Sequence, residues 1–166
     1  MASCAKEGRL YVGQDPHLGK IRGLDPWAVD NGIHVICITE EKAEGIMMIN
    51  QNNVQQYGTV HGGMLVAFAD TIAGHSLVSH GKMCVTQSST VNFLRPASGA
   101  YLFCRATPVK VGRTVCVVSV EQRNDKDELV DRHAASQRVV QSHMPVREMT
   151  TAEGHAVRAG YLYSAM

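Results

Sequence analysis

The chain has 166 residues, a formal net charge of +1, 45% hydrophobic residues and 19% charged residues. This length predicts one domain whose core needs neither disulfides nor a structural metal. The balanced charge argues against a nucleic-acid partner, which would need a strongly basic face. The sequence contains no run of 18 apolar residues, so we predict no membrane span. We therefore expect neither a nucleic acid nor a membrane as a partner.

The cysteines favour a cytoplasmic protein. Their number is odd and none forms a C-x-x-C pair: Cys4, Cys37, Cys84, Cys104 and Cys116. The first residues, MASCAKEGRLYV, lack the apolar core of a secretory signal. We therefore expect free, mostly buried thiols in a reducing compartment.

The first part of the chain predicts an arm followed by two strands. Residues 1–30 are rich in Gly, Pro and charge, with one short helix near 26–29. Two β-rich runs, 33–39 and 46–49, flank a charged turn and predict strands. The polar residues 50–53 predict a loop.

Residues 62–79 form the one long helix candidate, GGMLVAFADTIAGHSLVS. Apolar residues recur there at helical spacing, and the helix is apolar almost all round. This pattern predicts a helix wrapped by other structure. Gly74 inside it predicts a close approach by another backbone.

The remainder of the domain is predicted to be β-sheet. Four strand-like stretches are separated by short polar or glycine-containing breaks: 82–95, 100–111, 114–122 and 128–140. Breaks this short predict hairpins, so these strands should be antiparallel neighbours. Pro108 within its strand predicts a bulge or an edge. Residues 141–166 form a polar tail.

The order of elements, two strands, one helix and four strands, predicts an α+β domain. A sheet that curls around the helix satisfies this order and buries the helix. The domain should span residues 31–140, between the arm 1–30 and the tail 141–166.

The segment GTVHGGMLVAFAD leads into the helix and is followed by TVNFLRPASG and VKVGRT. Together these motifs resemble the hotdog-fold acyl-CoA thioesterases of the phenylacetate-degradation type. The resemblance covers roughly residues 30–140 and implies a long helix wrapped in an antiparallel sheet. It also implies hydrolysis of an acyl-CoA to a carboxylic acid and free CoA.

The residue types at the helix start suit this chemistry. Gly62 and Gly63 allow close backbone approach, and free N–H groups at a helix N-terminus can stabilise an oxyanion. The resemblance assigns that role to the Gly62 N–H. It assigns Asp70 as the base that activates water or as the nucleophile. His61 is more readily explained as a residue that fixes the loop.

Spacing adds a constraint on the site. Asp70 lies eight residues beyond Gly62, which is about 12 Å along a helix. One helix cannot bring both groups to the same carbonyl. We therefore expect a site shared between subunits, in a dimer or a dimer of dimers, most readily a homotetramer.

The resemblance suggests further site residues. Thr86 matches a hydroxyl that helps to hold water. The candidate CoA contacts comprise one aromatic residue, one turn and one arginine: Phe93, Lys110, Val111, Gly112, Arg113, Thr114 and Arg138. Lys and Arg side chains would pair with phosphates. Most relatives carry Asn six residues before the motif histidine, whereas this chain has Gln55, and Asn53 is a possible substitute.

Two other functions of hotdog proteins fit this sequence less well than thioester hydrolysis. A non-catalytic hotdog protein that binds acyl-CoA is the main alternative, but a sensor needs an output domain and the arm is too short for one. A hotdog hydratase would show an Asp/His dyad pattern. His75 and His80 have the wrong spacing for a metal pair on one helix face. Neither a metal nor another cofactor is therefore expected.

Overall fold

The structure is a computed structural model and describes residues 26–141 of the chain. It contains two α-helices, a 3₁₀ turn and six strands: α1 (Pro26–Asp30), β1 (Ile33–Ile38), β2 (Ala43–Met48), α2 (Gly62–His75), the 3₁₀ turn (Val78–His80), β3 (Met83–Phe93), β4 (Tyr101–Val111), β5 (Val115–Asn124) and β6 (Leu129–Gln141). Every predicted strand and helix of this part is present. Most of the arm and the tail lie outside the described residues, so the domain boundaries stay predictions.

The six strands form one antiparallel sheet in the order β1-β2-β4-β5-β6-β3. Helix α2 packs against all six strands. Its buried side chains form one stripe: Leu65, Phe68, Ala69, Ile72 and Ala73. This arrangement confirms the α+β prediction of a sheet around one long helix.

One predicted hairpin is wrong. The break after β3 does not return the chain to a neighbouring strand, because β3 pairs with β6 at the edge of the sheet and β4 pairs with β2 and β5. Residues 94–100 therefore carry the chain from one edge strand to the interior of the sheet. The length of a break limits which strands can pair, but the competing β3–β6 pairing decides the outcome.

The predicted close approach at Gly74 is also wrong, since nothing lies within 4 Å of the position its Cβ would take. The close approach occurs instead at Gly45 on β2. A Cβ there would collide with the side chain of Ile72 on α2. Glycine on the strand thus lets the helix pack closely against the sheet. On the other side of the helix, Val66 and Ala67 stay partly exposed.

Two local predictions have different outcomes. The register shifts between Pro108 and Lys110, which confirms a bulge at the proline. Cys84, Cys104 and Cys116 carry free thiols as predicted. Cys37 is disulfide-bonded, so the prediction of free thiols is wrong there, because an odd count still allows one bridge. No helix within residues 26–141 is long and apolar enough to cross a membrane.

Candidate functional site

The start of α2 exposes one backbone donor. His61 is the N-cap with φ −65° and ψ 134°, and its Nδ1 accepts a hydrogen bond from the Gly63 N–H at 3.0 Å. A Cβ on Gly63 would lie 3.1 Å from that nitrogen, so glycine permits the contact. Among residues 26–141, no acceptor pairs with the N–H of Gly62. The helix therefore presents the Gly62 N–H, with its partial positive charge, to whatever occupies the space beside it.

That space is an open, largely apolar pocket of about 540 Å³. Its walls come from the loop before α2, the helix start and the segment after β3: Gln55, Tyr57, Thr59, Val60, Gly62, Leu65, Phe93, Leu94, Arg95, Pro96 and Ala97. The Phe93 ring lies 3.5 Å from the position a Cβ on Gly62 would take. The structure thus brings three of the predicted site residues, Gln55, Gly62 and Phe93, into one pocket.

Gln55 and Asn53 have different roles. The Gln55 side chain donates from Nε2 to Thr59 Oγ1 at 2.8 Å, within a turn on the pocket wall. Asn53 is buried, and its amide bonds the backbone N–H of Asn50 and the carbonyls of Asn31 and Met48. With its amide committed to the loop in this way, Asn53 is not available to replace Gln55.

Asp70 lies two turns further along α2 in a separate polar cluster. Its Oδ1 accepts a short hydrogen bond from the Thr86 hydroxyl on β3. The register of β3 shifts between Thr86 and Ser88, which is how a bulge aims a side chain. A third residue, Gln137 on β6, reaches both partners with its amide nitrogen, 3.1 Å from Thr86 Oγ1 and 3.4 Å from Asp70 Oδ1.

Sequence reasoning missed Gln137. The resemblance points only to its neighbour Arg138, as a CoA contact. Polar residues occupy both faces of β6, so alternation alone does not show which of the two side chains points inward. The pairing of Gln137 with Thr86 in the sheet is the signal that identifies it.

Within one chain, the Gly62 pocket and the Asp70 cluster lie apart. Phe93 at the pocket and Thr86 at the cluster are seven residues apart on β3, which corresponds to roughly 20 Å along a strand. Gly62 and Asp70 are about 12 Å apart along the helix axis. The two predicted groups therefore do not meet at one carbonyl in a single copy.

Comparisons with known proteins show which family the chain belongs to. A family model described as the thioesterase superfamily matches residues 57–130. A Haemophilus influenzae protein described as an esterase is 33% identical over 101 residues, which are 59% of this chain and 73% of that protein. This chain belongs to the thioesterase superfamily.

A second relative of this thioesterase is the acyl-coenzyme A thioesterase PaaI of Escherichia coli. It is 29% identical over 100 residues, which are 60% of this chain and 71% of that protein. The solved structure of PaaI, from the phenylacetic acid degradation operon, superposes with a TM-score of 0.71 at 23% identity over 78% of this chain and 94% of that one. The hotdog fold expected from the motifs is thereby confirmed.

A third comparison concerns a thioesterase from Streptococcus pneumoniae, solved with coenzyme A. It has a TM-score of 0.66 at 23% identity over 70% of this chain and 94% of that one. Alanine mutants of the same protein have also been solved, one at an aspartate and one at a threonine sixteen residues later. Asp70 and Thr86 have the same residue types and the same separation.

The remaining predicted CoA contacts lie at the opposite end of the sheet from the pocket. The turn 110–114 joins β4 to β5, and the Val139 N–H donates to the Thr114 carbonyl at 3.1 Å. Arg138 pairs with Val115 directly after this turn, so Arg138 lies beside it. Lys110, Val111, Arg113 and Thr114 are exposed, whereas Gly112 is half-buried. In one chain, Phe93 is not near this turn, because it pairs with the opposite end of β6.

Cys84 lies two residues before Thr86 on β3 and is the cysteine of that strand. Burial, and then the neighbouring Cys116, raise its pKa to about 12. A thiol with so high a pKa holds almost no thiolate at neutral pH. Among the side chains of this cluster, Asp70 is therefore the group suited to act as base or nucleophile.

A second cluster of buried polar side chains, Gln122, Asp131 and His133, lies behind the pocket, and the sequence motifs do not predict it. Gln122 Nε2 donates to the Leu65 carbonyl at 2.6 Å, in the first turns of α2, and lies 3.3 Å from His133 Nε2. That nitrogen lies 3.0 Å from Asp131 Oδ1. Burial raises the pKa of Asp131, and His133 opposes this shift. The hydrogen bond from Gln122 to Leu65 connects β5 to the start of α2.

The two helix-region histidines bond to backbone carbonyls. His75 Nδ1 lies 2.7 Å from the Thr71 carbonyl, and His80 Nε2 lies 2.8 Å from the Glu40 carbonyl. Within residues 26–141, no three His, Cys, Asp or Glu side chains are grouped so as to hold a metal ion.

Proposed function

We propose that this thioesterase hydrolyses an acyl-CoA to a carboxylic acid and free CoA. The observation that carries the proposal is the Gly62 N–H at a helix N-terminus, which has no partner within residues 26–141 and lies in the wall of an apolar pocket. A donor in this setting stabilises the negative charge that develops on a thioester oxygen during attack. The PaaI relative and the CoA-bound neighbour support acyl-CoA as the substrate class.

Asp70 supplies the other half of the chemistry. As a base, it takes a proton from water while the hydroxide adds to the thioester carbon. The tetrahedral intermediate then expels the thiolate, and that thiolate takes up the proton as CoA leaves. As a nucleophile, the carboxylate would add to the carbon itself, and the intermediate would expel the CoA thiolate to leave an anhydride. Water would then hydrolyse this anhydride to the carboxylic acid and the Asp70 carboxylate, and the thiolate would take up the released proton. Thr86 holds Oδ1 in either case, which leaves Oδ2 for the reaction.

The site is proposed to lie between two subunits. The separation of Gly62 from Asp70 in one chain supports this, because each group then needs its counterpart from a second copy. Strand β3 also supports it: this edge strand is 11 residues long and exposes most of its side chains. Long open edges pair readily with another strand. A second copy of the chain that pairs along β3 would form a dimer, and two such dimers would form the homotetramer.

CoA is proposed to reach the turn 110–114 of one subunit. Lys110 and Arg113 are exposed there, with Arg138 beside them. Their positive charges suit the phosphates of CoA. Phe93 would contact the substrate at the pocket, so the two sets of contacts come from different ends of the sheet. A cytoplasmic location belongs to the same proposal: the free thiols of Cys84, Cys104 and Cys116 support it, whereas the disulfide bond of Cys37 counts against it.

Release of free thiol from a panel of aromatic, medium-chain and dicarboxylic acyl-CoAs tests the proposal. We expect wild type to hydrolyse at least one member, and Asp70→Asn to keep its fold and CoA affinity while kcat falls roughly 10²–10⁴-fold. Asp127→Asn is the matched control, since the Asp127 side chain is 88% exposed and lies in the β5–β6 turn. Asp70→Glu should keep partial activity only if the carboxylate acts through water.

The alternative is a non-catalytic acyl-CoA-binding protein. One observation favours it: the Gln55 amide donates to Thr59, so it is not free to bind a thioester carbonyl or water in this conformation. If wild type hydrolyses no member of the panel but binds a non-hydrolysable acyl-CoA tightly, the alternative becomes the better account. If Asp70→Asn hydrolyses as fast as wild type, Asp70 loses its assigned role.

A further inference from the structure

Gln137 is a buried amide that the proposed chemistry does not yet use. Only 1% of the residue is exposed, and it lies on the core face of β6 between Thr86 on β3 and Cys116 on β5. A buried amide is unfavourable unless its polar atoms have partners. Its partners here are Thr86 and Asp70, the two groups already placed at the site.

The hydrogen count orients this cluster. The Thr86 hydroxyl has one hydrogen and lies within hydrogen-bond distance of Asp70 Oδ1 and of Gln137 Oε1, at 3.3 Å from the latter. A carboxylate oxygen is a stronger acceptor than an amide oxygen, so the hydrogen goes to Asp70. Thr86 Oγ1 then accepts from the Gln137 amide at 3.1 Å. The result is a chain of donors that runs from Gln137 through Thr86 to Asp70.

We propose that Gln137 is a positioning residue, which fixes the Thr86 hydroxyl on Asp70 Oδ1 and thereby presents Oδ2 to the substrate or water. The inference rests on the proposed thioesterase chemistry at Asp70. Gln137 acts through its amide donors. It contacts Oδ1 itself only at 3.4 Å, so most of its effect passes through Thr86. Chains of hydrogen bonds of this kind strengthen one another in a buried setting.

A double-mutant cycle on kcat tests the inference. Gln137→Met has nearly the same size but lacks the donors, and Thr86→Val keeps the branched shape but lacks the hydroxyl. We expect Gln137→Met to lower kcat roughly 10-fold with KM within about twofold, since a small loss of orientation is costly. In the Thr86→Val background, Gln137→Met should lower kcat by less than about a further twofold, because the hydrogen-bond chain from Gln137 to Asp70 is already broken there.

Gln122→Met is the matched control. Gln122 is also a fully buried glutamine on the core face, but it bonds to Leu65. A general loss of packing would lower kcat equally in both Met variants. We expect the fold-loss of kcat in Gln122→Met to multiply with the fold-loss in Thr86→Val, because the two residues do not share a hydrogen bond. Gln137→Glu gives a second measurement: a second carboxylate beside Asp70 should move the acidic limb of the kcat–pH profile to higher pH.

The outcomes separate the two proposals. If wild type hydrolyses an acyl-CoA and Gln137→Met matches its kcat, the inference fails and the thioesterase proposal stands. Multiplicative effects of Gln137→Met and Thr86→Val would likewise overturn the inference. If wild type hydrolyses no thioester, the function and the inference fail together.

Discussion

The imidazole Nδ1 of His61 accepts a hydrogen bond from the Gly63 N–H, at 3.0 Å. This contact uses the second donor of the helix and leaves the first, on Gly62, without a partner among the described residues. A histidine whose Nδ1 accepts from the backbone is occupied in shaping the loop. His61 thus explains why Gly62, rather than Gly63, is the proposed oxyanion donor.

Removal of the Gly62 N–H should abolish most activity. Gly62→Pro deletes this donor at the first helical position, where proline is tolerated. His61 already has the extended conformation that a following proline requires. Gly62→Ala keeps the N–H and places its Cβ at ordinary contact, 3.5 Å from Phe93. We expect kcat to fall roughly 10²–10³-fold in the proline variant and far less in the alanine variant. Equal kcat values for the two variants would contradict the oxyanion role.

Mixed oligomers should recover activity if the site is shared between subunits. Gly62→Pro and Asp70→Asn each disable every site of their own homo-oligomer. A mixed dimer contains one site with both groups intact. Random assembly from equal amounts should therefore restore about a quarter of wild-type activity in the unfractionated mixture, and about half in the purified mixed dimer. We would co-express the two variants with different tags, purify the mixed species and measure thiol release. Mixed species as inactive as the parents would exclude the shared site.

Gln55 should tune the site without being essential. Its amide bonds Thr59 in the structure, so it must turn to reach a substrate carbonyl or water. We expect Gln55→Asn to retain or raise activity and Gln55→Ala to lower kcat. Asn53→Ala is the informative comparison, because the Asn53 side chain bonds the backbone of Asn31, Met48 and Asn50 and its loss should lower the melting temperature. Identical kinetics for Gln55 and both of its variants would place position 55 outside the site.

The turn 110–114 should contribute to CoA affinity. Lys110→Ala with Arg113→Ala removes two exposed positive charges, so KM should rise while kcat changes little. The stabilisation of wild type by added CoA, measured as a rise in Tm, should shrink in parallel. The control removes two charges at the β5–β6 turn, at the other end of the sheet, with Arg123→Ala and Lys126→Ala. A wild-type KM in the first double variant for several thioesters would show that the phosphates bind elsewhere.

Asp131 should make stability depend on pH in a direction unusual for an aspartate. Burial raises its pKa above the ordinary 3.8 despite His133, so the folded state holds this proton more tightly than the unfolded state does. Its contribution to the free energy of unfolding is therefore greatest at low pH and is lost as pH rises through the folded pKa.

Urea unfolding from pH 3.5 to 8 checks this sign. The free energy of unfolding of Asp131→Asn, relative to wild type, should increase as pH rises, because the variant has no carboxylate to ionise. Asp127→Asn is the control, since that side chain is exposed and asparagine tolerates the backbone φ of 63°. A difference between Asp131→Asn and wild type that falls with pH would show that His133 outweighs burial.

The sequence by itself determined the elements and half of the candidate site. Alternating and helical periods depend on neighbours a few residues apart, so strands β1–β6 and helix α2 could be located from local patterns. The motif around His61 likewise placed Gly62 at a helix start and Asp70 two turns later. These features require no knowledge of how distant segments meet.

Tertiary structure decided the rest. Strand β3 pairs with β6 because long-range pairings compete with one another, and the short break before β4 does not settle that competition. This pairing brings Gln137 to Thr86 across 51 residues of chain and on to Asp70. The partner of a buried amide depends on the register of two strands and on the face each side chain takes. Those choices are fixed by the packing of the whole sheet against α2, so no local stretch of sequence contains them.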